Sequence, residues 1–201
     1  MMLYNALSKV ACTTMAALLV TGCSNPEPTK PTQHGGDRQV ADASATAKHS
    51  IGHYHHKASA VLKGLKDNKI KGSVTFTKQQ DGVLIIADVE GLTPGKHGFH
   101  IHEHGDCSSV DGMSVGGHFD PTHSKHGGPD STERHVGDLG NIEADASGKA
   151  HYQRVDRVIR LHGKDTIIGR SIVIHADADD LTSQPAGNSG ARIACGVIMA
   201  E

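Results

Sequence analysis

The sequence predicts an all-β fold: an antiparallel sandwich or flattened barrel of about eight strands, with almost no helix and two long loops. From Ala58 onward, short alternating or apolar runs recur between turn signals at the spacing of an all-β domain. Glycine is abundant at 24 residues, consistent with many tight turns. Aromatics make up only 3 % of the chain and Trp is absent, so the core falls to Val, Ile, Leu and Ala.

The elements follow in order. ASAVLKG, KIKGSVTFT, GVLIIADVEG and KHGFHIHE supply the first four strands, with Asp81-Gly82 reading as a hairpin turn between the second and third. A loop rich in Gly, His and Asp then runs from Glu103 to about Gly137. DLGNIEAD and GKAHYQRV resume the strand pattern around Ala-Ser-Gly, followed by IIGRSIVIHA. A second loop covers Asp177 to Gly190, and ARIACGVIMA closes the series.

At 201 residues the chain holds one ordinary domain, placed at 58–201, plus appendages. Its formal net charge of −2 gives no bulk attraction for nucleic acid or an anionic membrane surface. Residues 1–22 read as a signal peptide: Lys9 precedes the apolar run Val10 to Val20, too short to span a bilayer. The run ends in Val20-Thr21-Gly22-Cys23, which resembles a bacterial lipobox; Cys23 would then be the lipidated first residue of the mature chain. The alternative is an ordinary cleaved signal with an incidental Cys. Lipidation implies an exported protein of the periplasm, with Ser24 suiting an outer-membrane anchor, and contact with the membrane through that anchor alone. Residues 23–57 form a polar tether without hydrophobic periodicity. Its His34, His49, His53, His55 and His56 read equally well as metal-capturing groups or as a solvated linker. With Cys12 leaving in the signal and Cys23 lipidated, Cys107 and Cys195 remain as the pair available in an oxidising compartment. A disulfide between them is the economical inference, and two free buried thiols are the alternative.

Sixteen His residues in the chain, eleven of them in the domain 58–201, point to metal chemistry. In His100-Ile101-His102, residues two apart on a strand share a face, so both imidazoles arrive at one place on rigid backbone. His118, His126, His135 and Asp138 lie in or beside the first long loop, which has too little apolar content to form a core and needs an organiser. Three imidazoles and one carboxylate suit a closed tetrahedral structural zinc site. His175 ends an apolar strand and offers another imidazole.

GFHIHEHGDC, GGHFDP, KHGGP, ERHVGDLGN, IIGRSIVIHADADDL and GNSGARIACGVI together resemble the signature stretches of the copper/zinc superoxide dismutase family, with similarity across nearly all of Ala58 to Ala200. The resemblance implies an eight-stranded Greek-key barrel and dismutation of superoxide to oxygen and hydrogen peroxide. It assigns one copper to His100, His102, His118 and His175, and one zinc to His118, His126, His135 and Asp138. The shared His118 has two ring nitrogens and can serve two cations; an all-nitrogen set suits Cu(II). The resemblance further makes Asp179 the acceptor that orients His100 and His126, Arg192 the cation that holds the substrate anion, and Cys107–Cys195 the intrasubunit disulfide. His97 matches a buried position that bonds backbone; His104, His123, His151 and His162 read as surface residues.

Two departures from the eukaryotic pattern stand out. Between His175 and Arg192 there is no Lys or Arg, so guidance of the anion would fall to Arg192 alone or with a basic residue such as Lys125. His104 replaces an aromatic of the eukaryotic dimer contact, which leaves both a monomer and a bacterial-type homodimer open. A metal buffer without catalysis, or a bare interaction barrel, could dispense with Arg192 or with one copper ligand, and this chain retains all of them.

Overall fold

A computed structural model describes residues 54–201. The signal peptide 1–22, the lipidation residue Cys23 and the tether histidines His34, His49 and His53 lie outside the described residues.

The strands are β1 (Lys57–Gly64), β2 (Lys71–Gln79), β3 (Gly82–Glu90), β4 (Gly95–His102), β5 (Asp138–Ala144), β6 (Lys149–Asp156), β7 (Ser171–His175), β8 (Arg192–Val197) and the two-residue β9 (Met199–Ala200). Every pairing is antiparallel, in the order β2-β3-β6-β5-β4-β7-β8-β1, and β1 pairs back onto β2 to close the sheet. The product is a closed eight-stranded barrel, with β9 prolonging β8 along the edge of β1. The non-sequential neighbours β3–β6 and β4–β7 are the Greek-key crossovers. A 3-10 turn at Met113–Val115 is the single helical element among the described residues.

Period-two alternation explains the ordinary strands. In β1, Ala58, Ala60 and Leu62 point inward while Val61 stays exposed, and β3 buries Val83, Ile85, Ala87 and Val89 in the same way. By contrast, β7 is buried at every position and β4 from His97 onward. Phe99, Ile101, Ile172 and Ile174 fill the barrel interior. The opposite face, carrying His100, His102, Val173 and His175, is covered by the loops 103–137 and 176–191. Two strands sandwiched between a core and a lid of loops are what place the site.

Three details differ from the sequence reading. The hairpin turn is Gln80-Asp81, because Gly82 already pairs with Gln79; a Cβ at Gly82 would strike the carbonyl oxygen of Asp156. Ile167 and Ile168 lie outside β7: Ile167 is buried in the core, but it belongs to a turn closed by Arg170 N–H donating to its carbonyl (3.1 Å). Burial alone extended the apolar run there without a ladder. His162 is half-buried, its ring edge-to-face with Tyr54 at 4.9 Å.

Candidate metal centre

On the loop-covered face of β4 and β7 two groups of buried donors converge: His100, His102, His118 and His175, and His118, His126, His135 and Asp138. Within each group the donor atoms lie within 4.8 Å of one another. His118 belongs to both, and its ring centroid stands 4.1 Å from that of His100.

The orientation of each ring follows from what binds its other nitrogen. His100 Nε2 and His126 Nε2 donate to the two carboxylate oxygens of Asp179, both at 2.9 Å. His102 Nδ1 donates to Gly116 O (3.0 Å) and His175 Nδ1 to Gly190 O (3.2 Å). A proton held at those atoms leaves the opposite nitrogen as a lone pair, and all these lone pairs face inward. His102 Nε2 and His175 Nε2 accordingly stand 3.2 Å apart. His100 Nδ1, His118 Nε2 and His126 Nδ1 are buried with no hydrogen-bond partner. Buried polar atoms are ordinarily satisfied, so three orphaned nitrogens aimed at two points fit cation donors. His118 has no carbonyl or outlying carboxylate on either side. Its Nδ1 lies 2.7 Å from Asp138 Oδ1, which also sits 3.0 Å from His126 Nδ1 and 3.1 Å from His135 Nδ1. The other Asp138 oxygen accepts the backbone N–H of Gly127 and of His135.

Charge states agree with this geometry. Burial pushes His175 down to about 3 and His118 down to about 4, so both rings are neutral and free to ligate. Burial opposes ionisation of Asp138, but the His118, His126 and His135 rings gathered round its carboxylate outweigh it and hold the carboxyl far below its usual range. His126 is the exception: burial disfavours its cation, yet Asp138 and Asp179 together raise that ring to about 9, so without metal it holds a proton on each nitrogen, and a cation must displace the one on Nδ1 to bind there.

The frame around the donors includes residues that carried no signal in the sequence. Asn141 on β5 clamps the Asp179 backbone with two hydrogen bonds, accepting from N–H at 2.7 Å and donating to the carbonyl at 2.9 Å. Gln184 does the same for His126, with both bonds at 2.9 Å, and so fastens the second loop to the first. Gly187 (φ 63°) leaves room where any Cβ would collide with Asp179 Oδ1. His97 bonds backbone as anticipated, its Nδ1 donating to His175 O (2.9 Å). Cys107 and Cys195 form a disulfide with Cα atoms 5.8 Å apart, tying the first loop to β8.

His102, His118 and His175 open onto a cavity of about 430 Å³ whose wall includes Arg192. The guanidinium is anchored by Gly112 O (2.9 Å) and Gly116 O (2.7 Å). Lys125, the anticipated basic neighbour, is exposed and not part of this wall; Lys66, from the β1–β2 turn, takes that place. A larger depression of about 810 Å³ between Lys71, Asp88 and His151 contains none of the orphaned buried donors and lies away from the chemistry.

Fold and site together define a β-barrel with two adjoining donor groups, each fit to hold a cation, at the lidded face of the sheet. The chain belongs to the copper/zinc superoxide dismutase family, whose profile matches residues 70–198. A superoxide dismutase [Cu-Zn] of Paramecium bursaria Chlorella virus 1 is 52% identical over 149 residues, covering 70% of this chain and 76% of the relative. One from Onchocerca volvulus is 46% identical over 152 residues, covering 70% and 94%. An extracellular superoxide dismutase [Cu-Zn] of Brugia pahangi is 44% identical over 150 residues, covering 70% and 74%. Among solved structures, the clock protein EA4 superposes with a TM-score of 0.67 at 44% identity, over 73% of this chain and 96% of that one.

Proposed function

We propose that this chain is an exported copper/zinc superoxide dismutase, binding copper through His100, His102, His118 and His175 and zinc through His118, His126, His135 and Asp138. The observation that carries this reading is His118, a buried ring whose two nitrogens each face a separate donor group. Copper, when bound, supplies the one-electron chemistry by alternating between Cu(II) and Cu(I) as successive superoxide ions are oxidised and reduced. Zinc is structural, since its four protein donors leave no position for water.

The remaining work falls to the chain's own groups. Arg192 holds the anion at the cavity wall by charge-assisted hydrogen bonds, its orientation fixed by the carbonyls of Gly112 and Gly116. Asp179 keeps the protons of His100 and His126 on their outer nitrogens. His118 Nε2, buried and unpartnered, would be the copper-side nitrogen of the shared ring, and whenever the cation does not occupy it, it is the atom placed to take up a proton and pass it to the product. The loops exclude bulk water from all of these rings except at the mouth.

Export follows from the signal peptide at 1–22, and lipidation of Cys23 would anchor the tether 23–57 and the domain 58–201 to the periplasmic face of an outer membrane. Extracellular naming of the Brugia pahangi relative supports export. Mass spectrometry of cell-derived protein finds lipid-modified Cys23 as the first residue; an intact or differently cut terminus overturns the anchor. Sedimentation decides between monomer and bacterial-type homodimer. The central test is purified chain reconstituted with both metals: one copper and one zinc per chain with rapid superoxide removal is expected, and full loading without removal overturns the proposal.

A further inference from the structure

Met113 stands in the wall of the cavity over His102, His118 and His175, beside Arg192. Arg192 Nη1 donates to the Met113 sulfur at 3.0 Å. The guanidinium makes two other hydrogen bonds, to the carbonyls of Gly112 and Gly116. A carbonyl oxygen is a strong acceptor and a thioether sulfur a weak one, so the N–H aimed at Met113 is the loosely held donor of the three. An anion arriving at the wall takes that N–H at little cost.

The turn that carries Met113 fixes this contact. Met113 N–H donates to Asp111 Oδ1 (3.0 Å), and Gly116 N–H donates to Met113 O (3.3 Å) across the 3-10 turn Met113–Val115. Gly112 lets the turn lie against Arg192: a Cβ there would come within 3.0 Å of the Arg192 Cβ, and its φ of 72° is one that glycine adopts freely. Val115 is buried in a cluster with Leu65, Val173 and Cys195. The backbone is thus held, while the Met113 side chain is 64% exposed and keeps the freedom of an unbranched thioether. Met199, the other methionine of the domain, is 60% exposed but lines a different depression, beside Cys107 and Cys195. The two sulfurs therefore differ in surroundings and hardly at all in access.

We propose that Met113 is an oxidation site at the mouth, and that its sulfoxide takes the Arg192 N–H that the substrate anion needs. The proposal rests on the superoxide reading above, by which hydrogen peroxide is released into this cavity. A sulfur lone pair attacks one peroxide oxygen, the O–O bond breaks, and the departing oxygen leaves as water with both peroxide protons. Met113 thereby loses two electrons and gains one oxygen, and the peroxide is reduced. The flexible side chain turns the new S=O oxygen, a polar acceptor, onto Nη1 in place of the sulfur. Arg192 is then bonded to three oxygens instead of two. Peroxide that accumulates in this way lowers the capture of further anion.

The test uses the full chain, oxidised with hydrogen peroxide before the metals are added so that bound metal plays no part in the oxidation. The peroxide is removed with catalase, copper and zinc are loaded, and each protein is compared with its own untreated form. Peptide mass spectrometry finds one added oxygen on Met113. Azide affinity, read from its absorption with the bound copper and so independent of turnover, falls about three- to tenfold, the net worth of one hydrogen bond. The value of kcat/KM for superoxide falls by the same factor. Met199→Leu responds to oxidation as the wild type does, and Met113→Leu shows no change between its treated and untreated forms. Without any oxidation, Met113→Gln, whose side-chain carbonyl stands in for the sulfoxide, binds azide more weakly than Met113→Leu. Met113 that stays unmodified while Met199 is converted overturns the proposal. So does fully oxidised Met113 with unchanged azide affinity, or a Met113→Leu protein that loses as much as the wild type. Fully loaded protein that shows the azide effect and yet removes no superoxide overturns the functional reading instead, and leaves the sulfur site standing.

Discussion

Asp179 sets the proton position on two imidazoles at once, one from β4 and one from the first loop. Replacing it with Asn keeps the volume but turns one oxygen into a donor that faces a ring N–H, so one ring must rotate or change tautomer. Asp179→Asn is expected to weaken metal affinity about 10- to 100-fold, read by competition with a chelator; unchanged affinity would show that the loops alone hold the rings. Arg192 is placed differently, because it stands at the cavity wall and bonds two backbone carbonyls and none of the ring nitrogens. Arg192→Ile should lower kcat/KM roughly tenfold or more, the worth of one charge-assisted hydrogen bond, and the deficit should persist at high salt. A loss that salt abolishes would assign Arg192 a steering role only. At this scale the sequence was informative about identities: each of these residues was named from motifs, while Asn141, Gln184 and Gly187 were invisible because an amide clamp or a missing Cβ has no pattern of its own.

The two loops act as one lid because they are cross-fastened. Gln184 grips the His126 backbone, Asn141 grips Asp179, and the disulfide fixes the first loop to β8. Closing the 88-residue separation between Cys107 and Cys195 constrains the unfolded chain by roughly 4 to 5 kcal/mol on the chain-entropy model. The double variant Cys107→Ser, Cys195→Ser should therefore lower the thermal midpoint by well over 10 °C and weaken the anchor of the wall around Gly112 and Arg192. Calorimetry checks the first part; an unaltered midpoint would mean that the crosslink contributes little. A buried pair beneath the lid, Arg134 with Asp156 at 2.6 Å, also lends its guanidinium to the carbonyls of His135 and Asp138.

For the whole molecule, the cost of burying so many imidazoles appears when the metals are absent. His118 and His175 titrate at about 4 and about 3 in the folded chain and near 6.5 when unfolded. Between those values the unfolded chain binds more protons, so their contribution is fully present above about pH 6.5 and is lost as pH falls through 4 and 3. His126, raised to about 9 by its carboxylate neighbours, has the opposite sign: its contribution is present below 6.5 and is lost as pH rises through 9. Metal-free protein should thus be most stable near neutrality and lose several degrees of thermal midpoint between pH 7 and 5; a flat profile would show that these rings are hydrated without metal. The barrel, its strand sequence, the donor residues and the cysteine pair were all determined by the sequence itself, because strand alternation is local and the donors sit in dense motifs. Only the tertiary structure decided which nitrogen of each ring faces inward and which cation joins Arg192 at the mouth. Ring orientation is set by acceptors 14 to 79 residues away, and Lys66 reaches the site through a turn bonded to the opposite end of the chain. Such pairings exist only once the barrel has closed.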